Sequence, residues 1–280
     1  MKLISNRRHF LQLCLGGVAT LPFSRLTRAL PDGRPACRMS AEQTEGPYYL
    51  DRALLRQDIT EGKPGLPLKV RFDVLDSRTC RPLSGTALEI WHCDAQGLYS
   101  GFTTMTPGSP GMGTPPGKPP GPPPNGMPPG PPGAGGPGHG HPPASVATDE
   151  LTFLRGVQIA DARGQVEFHT IFPGYYAGRS NHIHLKLHVG GQMEDGHYRG
   201  GHVVHTGQLF FPEEASLAAM AQSSYQQKSI ARTTLAEDNV YATQSGNQSV
   251  AMLFSPSGTR QIAELTLAVD PSARTREGQG

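Results

Sequence analysis

The segment His182–Val189, HIHLKLHV, alternates polar and apolar residues at every position. Side chains alternate between the two faces of a β-strand, so this segment predicts a strand with one polar and one apolar face. The polar face carries His182, His184, Lys186 and His188. Alternate residues of a strand lie about 7 Å apart, so the first two imidazoles could bind one metal ion, or the face could simply be solvated.

The same period of two recurs along the chain, first in Leu68–Asp76, LKVRFDVLD. Further strands are predicted at 86–94, 153–161, 165–172 and 202–211, with late strands within 249–256 and 261–270. Asp161–Gly164, DARG, predicts a hairpin turn, and Glu213–Gln222 predicts a helix. Many short strands separated by turn residues predict a mainly β fold, an antiparallel β-sandwich with few short helices.

Residues 106–145 differ from the rest of the chain, since 16 of these positions are Pro and 12 are Gly. There is no strict Gly-X-Y repeat, so a collagen helix is not predicted. Few apolar side chains are available to offset the entropy of ordering, which predicts a disordered surface insertion. His139 and His141 are interpreted as solvated residues within it. Strand segments flank the insertion on both sides, so residues 30–280 are predicted to form a single domain.

The first 29 residues have the pattern of a cleavable signal peptide, with paired Arg7 and Arg8 before a short apolar run. The paired arginines favour twin-arginine export over an ordinary secretory signal, and predict a periplasmic or secreted protein with no stable membrane anchor. Five basic residues and no acid lie in this segment, so its removal takes the net charge from +2 to −3. A mature chain without basic excess gives no electrostatic case for binding nucleic acid.

Three cysteines remain after cleavage of the signal peptide, and an oxidising compartment would permit disulfides. Cys93 lies in a predicted strand beside Trp91 and is interpreted as a small buried apolar residue. A disulfide between Cys37 and Cys80 is therefore predicted.

Tyrosines accompany the histidines. Tyr175 and Tyr176 precede His182 in FPGYYAGRSNHIH, and Tyr99 follows another predicted strand. Each could be a buried structural ring whose hydroxyl binds backbone. Each could also be a metal ligand, since a phenolate is a hard oxygen donor that suits Fe(III) better than Zn(II).

Five stretches, taken together and in this order, resemble the intradiol ring-cleavage dioxygenases, and most closely a secreted subgroup related to protocatechuate and catechol dioxygenases. They are TEGPYYL (44–50), IWHCDAQGLYSG (90–101), FLRGVQ (153–158), FPGYYAGRSNHIH (172–184) and TGQLFF (206–211).

The resemblance implies a non-haem Fe(III) centre and a role for each matching residue. The implied metal ligands are Tyr99, Tyr176, His182 and His184. Tyr176 is the ligand expected to leave when substrate binds, although Tyr175 beside it makes the assignment ambiguous. Arg179 is expected to stabilise negative charge on the substrate. Gln208 is expected to line the pocket, and Pro47 and Tyr48 to form a pocket wall. His188 matches no ligand and is expected to be structural.

The activity implied by the resemblance is cleavage of an aromatic diol between its two hydroxyls with O2, which gives a muconate-type dicarboxylate. The partners implied are a small aromatic diol and O2, and a homo-oligomer is possible. Two alternatives remain open from the residues. One is a secreted zinc hydrolase using His182 and His184, for which a third His, Asp or Glu ligand is expected nearby. The other is a non-catalytic β-sandwich binding module with a solvated histidine face.

Overall fold

The computed structural model describes residues 37–51, 54–104, 146–226, 230–255 and 261–275. The predicted signal peptide at 1–29 and the predicted insertion at 106–145 lie outside these residues. Within the described ranges, no helix has the length and apolar character needed to cross a bilayer.

In the described part of the chain, eight strands form two four-stranded sheets, which confirms the predicted β-sandwich. The first sheet has the order β4-β1-β8-β7, and the second has the order β3-β2-β5-β6. The strands are β1 (Pro67–Asp76), β2 (Ala87–Trp91), β3 (Arg155–Ile159), β4 (Gln165–Ile171), β5 (His182–Glu194), β6 (His197–Phe210), β7 (Met252–Phe254) and β8 (Gln261–Val269). All neighbouring pairs are antiparallel except β1 and β8, which are parallel. The helices are α1 (Glu213–Met220) and α2 (Asn239–Thr243), and the second was not predicted.

The main core lies between the two sheets. The apolar alternation of β1 supplies Leu68, Val70, Phe72 and Val74, all at most 1 % exposed. They belong to the same buried cluster as Ile183, Leu185 and Leu187 of β5. Burial of these alternating side chains is the main stabilisation of the sandwich. The histidines of β5 consequently point away from this core, toward the outer face of the second sheet.

The segment Asp161–Gly164 forms a turn, but the prediction of a hairpin there is wrong. Gly164 N–H donates to the Asp161 carbonyl at 2.9 Å, as expected of a tight turn. However, β3 pairs with β2 in one sheet, whereas β4 pairs with β1 in the other. The turn therefore carries the chain from one sheet to the other. Each of the two strands pairs with a strand that is distant in the sequence.

The long hairpin of the fold lies between β5 and β6. Its two-residue turn is Asp195–Gly196, with positive φ values of 49° and 77°, as a type I′ turn requires. The predicted strands ended at 189 and began at 202, so both were shorter than the observed β5 and β6. In the structure Gly191 pairs with Gly200 inside the ladder.

Cys37 and Cys80 form a disulfide, as predicted. Cys93 is free and buried, which confirms its interpretation as an apolar core residue. The bond joins the start of the described chain to the loop after β1. The chain continues from Cys37 toward residues 43–50, which cover the outer face of the second sheet.

Candidate metal centre

The two histidines at the start of β5 are held between neighbouring strands. His184 lies opposite Trp91 of β2 and Gln208 of β6, while His182 lies opposite Phe210. Both imidazoles are at most 1 % exposed. Their Nε2 atoms approach each other to 3.1 Å. The solvated histidine face required by the binding-module alternative is therefore contradicted for this pair.

The hydrogen bonds of His182 determine which of its nitrogens is free. Its Nδ1 lies 2.6 Å from the Ser180 carbonyl oxygen, which can only accept a hydrogen bond. In the neutral ring Nδ1 is therefore the donor, and Nε2 carries a lone pair. His184 stacks on the Trp91 ring at 5.0 Å, and its buried Nδ1 has no hydrogen-bond partner among the described residues.

Tyr176 is the tyrosine of the adjacent pair that reaches the histidines. Its hydroxyl oxygen lies 3.3 Å from His182 Nε2. Tyr175 points elsewhere, since its hydroxyl donates to the Ile230 carbonyl at 3.3 Å. Of the two tyrosines, Tyr176 is therefore the one that lies beside the histidine pair.

The turn before Tyr176 depends on a glycine. Gly174 N–H donates to the Asp94 carbonyl at 3.1 Å. A Cβ at Gly174 would lie 2.4 Å from that same carbonyl oxygen, so a larger residue cannot occupy this position. Asn181 closes the loop by donating from Nδ2 to the Pro173 and Gly174 carbonyls at 2.9 and 3.0 Å.

Tyr99 approaches the same point from the loop after β2. Its ring centroid lies 5.7 Å from that of Tyr176 and 6.1 Å from that of His184. Its hydroxyl is buried and makes no hydrogen bond of ordinary geometry to a described residue. Burial, followed by the nearby Tyr176, raises the pKa of Tyr99. A buried polar atom of this kind normally has a partner, so this oxygen is a position where an additional ligand would be stabilising.

Asp149 and Arg155 hold the Tyr99 loop, and neither was assigned a role from the sequence. Asp149 accepts from the backbone N–H of Gly101 and Thr103, both at 2.9 Å. Burial alone would raise the Asp149 pKa, but the hydrogen bonds from Thr103 and from other backbone N–H groups hold it below its ordinary value. Arg155 is 4 % exposed and donates to the Ser100 and Tyr48 carbonyls, each at 2.8 Å. Arg155 lies in the FLRGVQ stretch. An arginine between apolar residues of a predicted strand is the sequence feature that could have indicated its role.

The predicted pocket wall lies beside the phenols. Tyr48 stacks on Tyr99 with ring centroids 4.4 Å apart, and meets Phe102 edge-on at 5.3 Å. Pro47 is half-buried in the same segment. An aromatic wall of this kind suits a flat apolar ring.

Arg179 lies next to Tyr176 with its guanidinium held on three sides. Its Nη1 is 3.4 Å from the Tyr176 hydroxyl, and its Nη2 donates to Gln208 Oε1. Its Nε donates to both carboxylate oxygens of Asp238, at 3.1 and 3.2 Å. Gln208 is fully buried, and its Nε2 donates to the Thr44 carbonyl at 2.7 Å, so its amide holds Arg179 in place. Asp238 was not predicted as a site residue.

His188 lies outside this cluster, as expected. Its Nε2 is 3.2 Å from Glu89 Oε2. Lys186, on the same strand face, forms an ion pair with Glu45 and lies over the Tyr49 ring at 3.5 Å. These contacts attach the 43–50 segment to the sheet and bury the histidine face.

The protonation states suit a metal centre. Burial, followed by the nearby Arg179 charge, lowers the pKa of His182 to about 3. Burial also lowers the His184 pKa, with a further contribution from His182. Both rings are therefore neutral at pH 7 and can offer lone pairs to a cation. Burial raises the pKa of Tyr99 and of Tyr176, while Arg179 opposes the rise at both phenols. A bound cation of high charge would favour both phenolates.

The donor set therefore fits a metal ion of hard character. Three donor atoms lie close together. His182 Nε2 is 3.1 Å from His184 Nε2 and 3.3 Å from the Tyr176 hydroxyl oxygen. The Tyr99 hydroxyl is buried, and the Tyr99 ring centroid lies 5.7 Å from that of Tyr176. Among the described residues there is no group of three or more His, Cys, Asp or Glu that could hold a metal. The third His, Asp or Glu expected for the zinc alternative is thus not found in that part of the chain.

The fold and the site together define a β-sandwich protein with a buried tyrosine and histidine centre. No family model matches the chain, and no curated protein matches it. Solved structures do match it. An intradiol ring-cleavage dioxygenase from Tetranychus urticae is 29% identical, with a TM-score of 0.66, over 86% of this chain and 98% of that one. This likeness confirms the resemblance to intradiol ring-cleavage dioxygenases that the motifs indicated.

More distant likenesses include two other dioxygenases. The dioxygenase domain of a carbohydrate-binding fusion protein from Streptomyces sp. SirexAA-E is 22% identical, with a TM-score of 0.49, over 83% of this chain and 99% of that one. Catechol 1,2-dioxygenase from Pseudomonas arvilla C-1 is 18% identical, with a TM-score of 0.47, over 85% of this chain and 64% of that one. Of these three structures, the Tetranychus urticae dioxygenase alone has a TM-score above 0.5.

Proposed function

We propose that the protein is a non-haem Fe(III)-dependent dioxygenase that cleaves the ring of a catechol-type diol between its hydroxyls to give a muconate-type dicarboxylate. The observation that carries this proposal is the buried convergence of two neutral imidazoles and two phenols, one of which has an unpartnered hydroxyl. The likeness to the Tetranychus urticae intradiol dioxygenase supports the same reaction class.

The four proposed metal ligands are Tyr99, Tyr176, His182 and His184. Two phenolates and a hydroxide balance the charge of Fe(III), which leaves both imidazoles neutral. Bound Fe(III) would supply the Lewis acidity that ionises the diol and the redox chemistry with O2. The tyrosine hydroxyls distinguish this donor set from those of ordinary zinc enzymes.

The remaining residues bind and orient the substrate. The aromatic wall of Tyr48 and Tyr99 packs against the diol ring and excludes water. The Tyr176 oxygen accepts a proton from one diol hydroxyl. Arg179 Nη1, 3.4 Å from that oxygen, stabilises the negative charge that develops on the diol, and such fixed charges act strongly in a buried site. Gln208 keeps the guanidinium in place.

The test is a visible absorption spectrum of the purified, iron-loaded protein before and after anaerobic addition of catechol. A charge-transfer band between phenolate and Fe(III) is expected, shifting to longer wavelength with catechol. Admission of O2 is then expected to yield muconate. An iron-loaded protein without such a band would contradict the tyrosine ligands, and a band without muconate would contradict the proposed reaction.

Two neighbouring tyrosines provide a matched pair of variants for this test. Tyr176→Phe removes one of the two proposed phenolate ligands and is expected to weaken and shift the band of the protein without catechol. Tyr175→Phe removes a hydroxyl that donates to the Ile230 carbonyl, and is expected to leave the band unchanged. Equal effects of the two variants would contradict the assignment of Tyr176.

We also propose that the precursor is exported by the twin-arginine route, on the basis of Arg7 and Arg8 ahead of the apolar run. Cell fractionation is the test. Replacing both arginines by Lys is expected to retain the protein in the cytoplasm, and export that continues unchanged would contradict the route.

A further inference from the structure

The carboxylate of Asp238 accepts more hydrogen bonds than helix capping requires. Asp238 is fully buried and is the N-cap of α2, where its Oδ1 accepts from Val240 N–H at 2.9 Å and Tyr241 N–H at 3.2 Å. Its Oδ2 accepts from the Ser180 N–H at 2.8 Å and from the Ser180 hydroxyl at 2.9 Å. Arg179 Nε approaches both oxygens. A capping aspartate needs only the first pair of these donors.

The Arg179 bond determines where the guanidinium points. The group is planar, and it is held at Nε by Asp238 and at Nη2 by Gln208. With two of its corners held, the third nitrogen, Nη1, faces the Tyr176 hydroxyl at 3.4 Å. The direction of the free N–H groups therefore follows from the position of the Asp238 carboxylate.

The Ser180 bonds connect the same carboxylate to His182. Asp238 holds the backbone and the hydroxyl of Ser180, and the Ser180 carbonyl lies 2.6 Å from His182 Nδ1. Groups that bind the distal nitrogen of a metal-binding histidine fix its tautomer and its ring orientation. One buried side chain from α2 thus supports both the arginine and a histidine of the candidate centre.

We propose that Asp238 is a positioning residue of the candidate centre, acting through Arg179 and Ser180 on the groups that face the substrate. This inference rests on the proposed function. A carboxylate is required here because the five donor groups around it offer only N–H and O–H. An asparagine would turn an NH2 group toward one of these donors, while it could still cap the helix.

The test compares Asp238→Asn with Asp161→Asn in the full iron-loaded chain. Asp161 also accepts two backbone N–H groups, from Arg163 and Gln165, but on an exposed turn. We expect Asp238→Asn to lower kcat/KM for catechol about 10- to 100-fold, the usual effect of losing a residue that supports a metal ligand. We expect the kcat/KM of Asp161→Asn to stay within about twofold of the wild-type value, because Asp161 lies in a solvated turn. Equal effects of both variants would overturn the proposal.

A double-mutant cycle separates positioning from general damage to the fold. If Asp238 acts through Arg179, Asp238→Asn should cost much less in an Arg179→Gln background than in the wild type. A full additional loss in that background would mean that Asp238 does not act through the guanidinium. If Asp238→Asn does not fold, Asp238→Ser, which can cap α2 but is too short to reach Arg179, takes its place in the cycle.

A measurement without iron or substrate separates this proposal from the proposed function. In the metal-free protein labelled with 15N, the Arg179 Nε–H resonance is assigned by its loss in Arg179→Lys. We expect it to exchange slowly with solvent in the wild type and in Asp161→Asn, and rapidly in Asp238→Asn. Slow exchange in Asp238→Asn would overturn the positioning role. Loss of protection in a protein that does not cleave catechol would retain the positioning role and contradict the proposed function alone.

Discussion

Replacement of Arg155 by methionine tests how strongly one buried arginine holds the loops that carry Tyr48 and Tyr99. Its guanidinium donates to the Tyr48 carbonyl and to the Ser100 carbonyl, each at 2.8 Å, and to the Ser100 hydroxyl at 2.9 Å. Methionine matches the apolar stem of arginine but lacks the guanidinium, so the change removes the hydrogen bonds and keeps the packing of the stem. The Ser100 hydroxyl keeps its own acceptor, the Phe153 carbonyl at 2.7 Å.

The expected loss of stability follows from the two carbonyl oxygens left without a donor. An unsatisfied buried acceptor costs about 1–3 kcal/mol, so two of them cost about 2–6 kcal/mol. Part of this is offset because the variant no longer buries a charge. We therefore expect the free energy of unfolding to fall by about 3 kcal/mol. In a chain of this size each kcal/mol lowers Tm by about 2–4 °C, which gives a decrease of about 6–12 °C.

The matched control is Arg71→Met, in the middle of β1. The Arg71 side chain also contacts two other residues, Glu264 at 2.6 Å and Glu167 at 3.2 Å, but it is 34% exposed. Exposed ion pairs contribute about 0–1 kcal/mol, so the control should lose at most about 1 kcal/mol. Urea denaturation of both variants, followed by circular dichroism, gives the comparison. A loss below about 1 kcal/mol for Arg155→Met, or equal losses for both variants, would refute the reasoning.

Three further predictions concern the surroundings of the centre. Gly46→Ala should lower stability by about 1–2 kcal/mol and weaken iron retention against a chelator, because Gly46 has a φ of 76° and an added Cβ would lie 3.0 Å from the His184 ring. Cys80→Ser should lower the free energy of unfolding by about 2–4 kcal/mol, and urea denaturation with reductant should bring the wild type to the same value. Asp149→Asn should cost about 1–2 kcal/mol at pH 7 from weaker charge-assisted hydrogen bonds. The folded-state pKa of Asp149 is lowered. Its contribution to the free energy of unfolding is therefore present above the unfolded pKa of about 3.9 and is lost as the pH falls through the folded value. The denaturation curves of wild type and Asp149→Asn should consequently converge in acid.

The strands could be predicted because burial on one face leaves a period of two in the sequence. The pattern in β1 is complete, and both its position and its inward residues were predicted. Strand pairing could not be predicted in the same way. The turn after Asp161 carries the local signal of a hairpin, yet β3 and β4 enter different sheets because their partners are far away in sequence. The parallel pairing of β1 with β8 likewise has no local signal.

The candidate ligands could be proposed from the sequence because they lie in short motifs, while their supports are dispersed. His182 and His184 are two positions apart, and Tyr176 is only six residues before His182. Asp238 is separated from Arg179 by 59 positions, and its local context indicates only a helix cap. A cap and a guanidinium partner require the same residue type, so the sequence alone could not distinguish a structural aspartate from one that supports the site.

The two phenols of the centre differ in what surrounds their oxygens, and this difference has a chemical consequence. The Tyr99 hydroxyl is buried and makes no hydrogen bond of ordinary geometry to a described residue. The Tyr176 hydroxyl lies within 3.4 Å of Arg179 Nη1, a cationic donor fixed in place by its other contacts. A phenol released from a metal ion is stabilised by such a donor, whereas an isolated one is not. Under the proposed function, this asymmetry supports the expectation that Tyr176 exchanges with the diol while Tyr99 stays bound.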